Sequence, residues 1–273
     1  MGDAALLGYA RGIPRVPRGR CLPGGGLALW LALLLLSCNS LAPTAPTPLL
    51  HTKSATLETL FPQWQPFAPA LSAGMDYCEG SIQYPKLRFW ALRVDLTESA
   101  LGIVVNAGAA GHIPSTKVSS FVRRYGCLAG INTNPFSPVS GKEGEDRIIM
   151  GISVSQGRVL APPRPNYDSL VFYRDGRAAI LSQGDLSPED MDTIENAVGG
   201  FYAVLRDGEV LEGAFSRGNA RHPRSAVGLS ADGRLLYLLV IDGRQLGSIG
   251  ATEAEVGILL QKLGAAAGLN LDG

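Results

Sequence analysis

Three Asp-Gly dipeptides constrain this chain more than any other feature. Asp175-Gly176, Asp207-Gly208 and Asp232-Gly233 each stand between two apolar runs, at residues 170–181, 201–211 and 226–241. Asp-Gly favours the tight turns whose twist matches that of paired strands, so each run predicts an antiparallel hairpin. Three such hairpins in the second half of the chain imply a sheet protein. The 34 glycines and 18 prolines, which follow no repeat period, suit the same conclusion.

The remaining elements follow from apolar spacing and end signals. Phe89 to Leu96 mixes bulky and β-branched residues with charges two apart, the pattern of a half-buried strand, and residues 101–105 form its neighbour. Val118, Phe121, Val122 and Tyr125 recur at helical spacing behind Ser115 and Thr116, with Gly126 as the stop. Residues 127–131 read as a strand that opens into the polar loop Asn132-Thr133-Asn134-Pro135-Phe136. Ser187-Pro188-Glu189-Asp190 carries the cap and first-turn proline of a short helix. Thr252-Glu253-Ala254-Glu255 is a capping box, followed by the stripe Val256, Leu259, Leu260 and Leu263 and closed by Gly264. The expected fold class is therefore α+β, a mixed, largely antiparallel β-sheet core with hairpins and two principal flanking helices. No GxGxxG follows a strand and no P-loop lysine is present, which removes dinucleotide and nucleoside triphosphate sites.

The first 37 residues have the layout of an export signal. Arg11, Arg15, Arg18 and Arg20 precede the apolar run 27–36, which is too short to span a bilayer and ends in Leu35-Leu36-Ser37-Cys38. A small residue followed directly by cysteine matches the site at which bacterial lipoproteins are cut and acylated. The expectation is a signal peptide at 1–37, a lipidated Cys38 anchoring the chain to the membrane, a Pro/Thr-rich tether over 38–74 and a globular domain over 75–273. An uncleaved anchor, or ordinary cleavage that leaves Cys38 bare, is the alternative. With 24 basic and 24 acidic residues, the chain offers no electrostatic case for nucleic acid or for polybasic membrane docking. Export would leave Cys78 and Cys127 where disulfides persist, so they form either a disulfide or two separate buried thiols. Three histidines with no CxxC or HExxH spacing give no basis for zinc.

Three polar clusters end apolar strands: Arg221-His222-Pro223-Arg224, Asp242-Gly243-Arg244 and Asn270-Leu271-Asp272-Gly273. The first concentrates donors that suit a phosphate or carboxylate. Taken singly, each has an ordinary reading: a solvated loop, an Asp242–Arg244 ion pair, and an Asp-Gly turn.

In this order the fragments resemble the phosphodiester glycosidase family. The resemblance runs from about Tyr77 to the end. It rests on His222-Pro223-Arg224-Ser225-Ala226-Val227-Gly228, Asp242-Gly243-Arg244, Gly250-Ala251-Thr252-Glu253-Ala254-Glu255 and Asn270-Leu271-Asp272-Gly273. The family's Ile-Asn-Gly-Gly-Phe-Phe persists only as Ile131-Asn132-Thr133-Asn134-Pro135-Phe136, and Gly199-Gly200-Phe201 occupies the later glycine position. Loss of both glycines after Asn132 alters a loop through which backbone amides could otherwise approach a ligand. The family pattern also continues past Asn-Leu-Asp-Gly with glycine, serine and a final strand, so the domain is expected to lack its C-terminal end here.

The resemblance implies a hydrolase that cleaves the glycosidic bond of a sugar-1-phosphodiester, with an N-acetylglucosamine-type sugar and exported or envelope glycans as substrates. Its leaving group is a phosphodiester anion, stable without protonation, so a general acid matters less than holding the phosphate and stabilising positive charge on the sugar. Arg224 and Arg244 are the candidate phosphate ligands, with His222 as an assisting donor. Asp242 and Asp272 are the candidate catalytic carboxylates, and Asn132 and Asn270 the candidate sugar ligands. Glu255 is assigned to the capping box. No cofactor is expected; a divalent cation held by Asp242 and Asp272 is the alternative, with two carboxylates as its only support. A non-catalytic sugar-phosphate-binding lipoprotein would bind without turnover, and a phosphodiesterase attacking phosphorus would place solvent oxygen in the phosphate.

Overall fold

The computed structural model describes residues 6–11 (backbone only), 52–67, 74–107 and 113–272. Cys38 and most of the expected leader and tether lie outside the described residues. Two parts of those regions do not. Strand Leu6–Arg11, inside the segment read as a signal, lies between Leu101–Val105 and Cys127–Asn132, antiparallel to both, so Leu101–Val105 is not the neighbour of the Leu87–Asp95 strand that the sequence predicts. Residues 52–67, expected in the tether, belong to the folded core. Thr52–Ser54 pairs with residues 80–82, Leu57 and Leu60 are buried, and Trp64 packs beside Tyr237. The Pro/Thr-rich composition ends at Pro48, and the apolar side chains that follow it have sheet to cover.

A nine-stranded sheet is the centre of the molecule. Its main path runs Glu209–Val210, Tyr202–Arg206, Ala267–Asn270, Arg224–Leu229, Leu235–Ile241, Leu87–Asp95, Met75–Ile82 and Thr52–Ser54, with Gln65–Pro66 added to the Met75–Ile82 strand. All its pairings are antiparallel except that of Thr52–Ser54. A five-stranded sheet and two three-stranded ones complete the β structure among the described residues. The Asp-Gly turns close the hairpins Asp168–Tyr173/Ala178–Ser182, Tyr202–Arg206/Glu209–Val210 and Arg224–Leu229/Leu235–Ile241, as the sequence predicts. The fold is α+β and mostly β.

Helix α4 (Glu253–Leu263) covers one face of the large sheet. Its stripe Val256, Leu259, Leu260 and Leu263 packs on Ala226, Tyr237, Leu239 and Phe89. The side chains of alternate residues point the other way, as the period of two demands. Val227, Leu236, Leu238 and Leu269 therefore meet Val105, Ile131, Leu170 and Val198 of the smaller sheets. Outside those lie helices α1 (Val118–Tyr125), over Val104 and Cys127, and α2 (Pro188–Thr193), whose Met191 packs on the five-stranded sheet. A short α3 (Glu212–Ser216) completes the four helices among the described residues.

Local end signals act as read for α2 and α4. Ser187 and Thr252 close capping boxes with Asp190 and Glu255, and Gly264 ends α4 in the left-handed region. Helix α1 differs. Its N-cap is Lys117, without a side-chain cap bond, and Glu143 from a distant loop accepts from Lys117 N at 2.9 Å and Thr116 Oγ1 at 2.9 Å. Those bonds, the first from the backbone of Lys117, hold the Glu143 carboxyl down at about 2.

The disulfide alternative is corrected: Cys78 and Cys127 are both free and buried. Cys78 sits in the core under α4 and Cys127 in the cluster under α1, on different layers. Burial pushes both thiols up, Cys127 to about 11, the direction of inert core cysteines.

Candidate active site

The three polar clusters emerge at one end of the large sheet because of register. Arg224 pairs with Ile241, Ile241 with Phe89, and Asn270 with both Ala226 and Tyr202. Arg224 and Asp272 each lie two residues beyond the Ala226–Asn270 pair, and Asp242 follows Ile241. Gly243 packs so closely on Pro223 that a Cβ would lie 2.5 Å from Pro223 N, which ties the second cluster to the first.

The smaller sheets close on this same end. Ser225 Oγ donates to Asn132 Oδ1 at 2.6 Å, Leu271 N donates to Ser225 O at 2.9 Å, and Asp272 N donates to Thr133 O at 3.0 Å. The end of the Cys127–Asn132 strand is thereby sewn to the start of Arg224–Leu229 and the exit of Ala267–Asn270. Thr133 is buried and Asn134 stands where the resembling pattern has a glycine. Asn134 Nδ2 donates to Ile152 O at 2.9 Å, and its Oδ1 accepts from Gly199 N at 3.1 Å. Gly199 leaves room for that amide: a Cβ there would lie 2.6 Å from Asn134 Nδ2.

Two groups at this seam lack ordinary structural partners. Asn270 is fully buried, yet neither its Oδ1 nor its Nδ2 has a hydrogen-bond partner, a state that costs about 1–3 kcal/mol. Asp272 is half-buried, and desolvation alone pushes its carboxyl up to about 6. Arg224 is also mostly buried. Its Nε donates to Ala251 O at 3.1 Å and one terminal nitrogen lies 3.7 Å from Glu253 Oε1. Desolvation lowers its pKa, against the attraction of Glu253. Glu253 also binds Arg217, whose guanidinium stacks 4.3 Å from the Tyr202 ring centre.

The other candidates are arranged differently. Asp242 does not pair with Arg244; it accepts from Arg88 at 3.2 Å, Gln245 Nε2 at 2.9 Å and Gly243 N at 3.0 Å. Arg244 is exposed and takes a left-handed φ of 58°, which turns its side chain out of the strand direction that would have met Asp242. His222 has an exposed side chain, while its backbone bridges Ala251 in both directions at 3.2 and 2.9 Å. Gly250, at φ 92°, permits that bridge, since a Cβ would lie 2.5 Å from His222 O. Arg221 is committed to Glu255 through bonds of 2.5 and 2.6 Å, so Glu255 combines capping with an ion pair. The structure thus gathers Asn132, Arg224, Asn270 and Asp272 at the seam, with the Asp242–Arg88 pair beside them, and leaves His222 and Arg244 facing solvent.

Arg88, Ser225 and Thr133 join this neighbourhood without having been singled out in the sequence. Ser225 lies inside the His-Pro-Arg-Ser fragment and carried a signal. Arg88 gave none, because its partner is 154 residues away. Hollows of about 560 and 660 Å³ lie at the opposite end of the sheet, around Asp95, Tyr173 and Arg234, and contain none of the motif residues. No cluster of three or more His, Cys, Asp or Glu suited to a metal occurs among the described residues, and none of their helices is long and apolar enough to cross a membrane.

The family model described as phosphodiester glycosidase matches residues 125–273, more than half of the chain. Among solved structures, a hypothetical protein from Synechocystis aligns with a TM-score of 0.51 at 12% identity, over 73% of this chain and 56% of its own. The zebrafish N-acetylglucosamine-1-phosphodiester alpha-N-acetylglucosaminidase catalytic domain, auto-inhibited by its pro-peptide, aligns at 0.49 and 17% identity, over 79% and 76%. This chain therefore spans little more than half the length of the Synechocystis protein, a likeness of fold. No curated protein matches.

Proposed function

The chain belongs to the phosphodiester glycosidase family, and from that premise we propose that it hydrolyses the glycosidic bond of a sugar-1-phosphodiester, the sugar being of the N-acetylglucosamine type. The observation that carries this reading is the seam: a desolvated carboxylate, Asp272, beside an orphaned buried amide, Asn270, and a buried guanidinium, Arg224. Neither Asp272 nor Asn270 is explained by stability. A partnerless buried amide destabilises a fold, and so does a carboxylate held away from ionisation.

The chemistry divides accordingly. Departure of a phosphodiester anion needs no proton, so the residues that matter are those that orient the phosphate and meet the charge and nucleophile at the anomeric carbon. Arg224 orients the phosphate. Asp272, lifted by burial, takes a proton from water or attacks the anomeric carbon directly. Asp242, already engaged by Arg88, contributes fixed negative charge. Asn270, whose four hydrogen-bonding positions are unused but enclosed, meets sugar hydroxyl or acetamido groups once the seam around it opens, and Asn132 lines the same seam. His222 and Arg244 act from the rim, on the phosphate. We place the enzyme outside the cell, tethered through Cys38, on the strength of the N-terminal arginines, short apolar run and Leu-Leu-Ser-Cys sequence; cleavage before Cys38 would also take the strand Leu6–Arg11 out from between Leu101–Val105 and Cys127–Asn132.

Hydrolysis of an N-acetylglucosamine-1-phosphodiester in heavy-oxygen water tests the assignment. Label in the sugar is expected; label in the phosphate means attack at phosphorus, and binding without turnover means a non-catalytic protein. Mass spectrometry of the membrane fraction tests the anchor, which is absent if the mature protein does not start at a diacylated Cys38.

A further inference from the structure

On the face of the large sheet opposite α4 lies an apolar cavity of about 130 Å³ to which Ile131 alone of the motif residues contributes. Its walls are Phe67, Tyr77, Trp90, Ile131, Leu238 and Val240, with backbone from neighbouring strands. Three observations constrain its occupant. The first is chemical. Only Tyr77 and Trp90 among its lining residues carry polar side-chain atoms, and both are used: Tyr77 Oη and Trp90 Nε1 donate to Glu79 Oε2 at 3.0 and 3.2 Å. The lining therefore offers hydrocarbon and ring surface, where a sugar would need hydrogen bonds to its hydroxyls.

The second observation is size. A cavity of roughly 150 Å³ lined by apolar side chains accepts a benzene ring, so this one suits a short alkyl group or a ring of that order. The third is place. Ile131 is followed by Asn132, and Val240 by Ile241 and Asp242. Arg88 bridges the two regions, with its guanidinium 5.0 Å from the Trp90 ring centre and 3.2 Å from Asp242 Oδ2. A phosphodiester has two ester arms. With the sugar arm toward Asn270 and Asp272, on the face that carries α4, and the phosphate over the end of the sheet between Arg224 and Arg88, the second arm descends the other face toward Trp90 and Val240.

We propose that this cavity is the subsite for the second arm, and that the preferred substrates carry an aliphatic alcohol there, such as an alkyl or isoprenoid chain, rather than another sugar. This rests on the activity proposed above and deepens it by naming the leaving-group class. Trp90 and Val240 are the specificity-determining walls, and Arg88 positions the phosphate between the two arms.

The test compares N-acetylglucosamine-1-phosphodiesters whose second arm is methyl, n-butyl or 6-glucosyl. Each methylene buried against such a wall favours the complex about fourfold, so kcat/KM is expected to be at least about tenfold higher for butyl than for methyl, and higher for butyl than for glucosyl. Val240 is 41% exposed, so Val240→Asp keeps the fold while placing a carboxylate at the cavity mouth. In that variant and in Trp90→Ala the butyl-to-methyl ratio falls toward one. A wild-type ratio near one, or a preference for glucosyl, overturns the proposal. Should none of the three turn over, the proposed activity fails, and calorimetric affinities for the same compounds decide the cavity: equal binding of methyl and butyl diesters overturns it.

Discussion

At the end of the large sheet that carries Asp95 and Arg234, charged side chains are accessible and paired, whereas the opposite end holds two polar groups, Asn270 and Asp272, that are enclosed without a side-chain partner. Asp95 accepts from Arg234 at 2.7 Å and from Thr97 N and Oγ1 at 2.9 and 2.6 Å. Asp175 pairs with Arg177 at 2.7 Å, and Asp232 takes Ser230 Oγ and Arg234 N. In each case hydrogen bonds, led by Arg234, Arg177 and Ser230 respectively, hold the carboxyl below its ordinary range. Asp272 is displaced the opposite way, by burial. Both ends are built from hairpin and strand termini, so the contrast does not come from the elements. It separates carboxylates that complete turns from one whose environment opposes the charge it must carry at neutral pH.

The sharpest way to break this contrast is Asp272→Asn. Turnover is expected to fall by roughly 10²- to 10⁴-fold, the scale of a lost general base, as measured by sugar release. In the wild type, kcat is expected to decline as pH drops through about 6, where Asp272 takes up a proton. The linked effect on stability has the opposite sense to that of most carboxylates. A folded-state pKa raised above the unfolded one adds stability below the ordinary carboxylate range, and that stability is lost as pH rises through about 6. Asp272→Asn should therefore stabilise the protein at pH 7.5, by about 1–2 kcal/mol after allowance for partial exposure, and change little at pH 4. Urea unfolding at the two pH values reads the difference.

Glu255 tests whether burial at this end is sufficient to mark a functional group. It is nearly as buried, but its oxygens serve Thr252 N and Arg221. Glu255→Ala removes a capping bond and strands Arg221, so a loss of roughly 2–3 kcal/mol is expected in urea unfolding. Asn270→Leu is the counterpart: it deletes an amide without partners, and stability is expected to be unchanged or to rise by about 1 kcal/mol while turnover falls.

The hairpins and the capped helices were legible because they are written over short distances. Asp232-Gly233 determines its own turn, and Thr252 and Glu255 are three residues apart. The end of the sheet to which the clusters converge was legible only as a resemblance, since register between strands more than 40 residues apart has no local signature. Partner choice was harder still. Asp242–Arg244 is the pairing that proximity suggests, and the left-handed backbone at Arg244 together with Arg88 across the sheet overrides it. For the same reason Arg221 and Arg224, three residues apart in one fragment, separate into an arginine committed to Glu255 and one left near the seam. Cys78 and Cys127 show the limit of compartment reasoning, which permits a bond but says nothing of which layer each thiol occupies.

The smallest expected effect lies at the far end and closes the comparison. Asp95→Ala deletes the acceptor of Arg234 and Thr97, and the pair is solvent-accessible, with Arg234 56% exposed. Such pairs contribute at most about 1 kcal/mol, and the depressed carboxyl means the contribution is present above the ordinary carboxylate range and lost on acidification. A loss of that size at pH 7.5, shrinking toward pH 2, with sugar release unaltered, is the expected result. Equal damage to turnover from Asp95→Ala and Asp272→Asn would mean that the two ends are coupled, and that the hollows around Asp95 and Arg234 belong to the reaction after all.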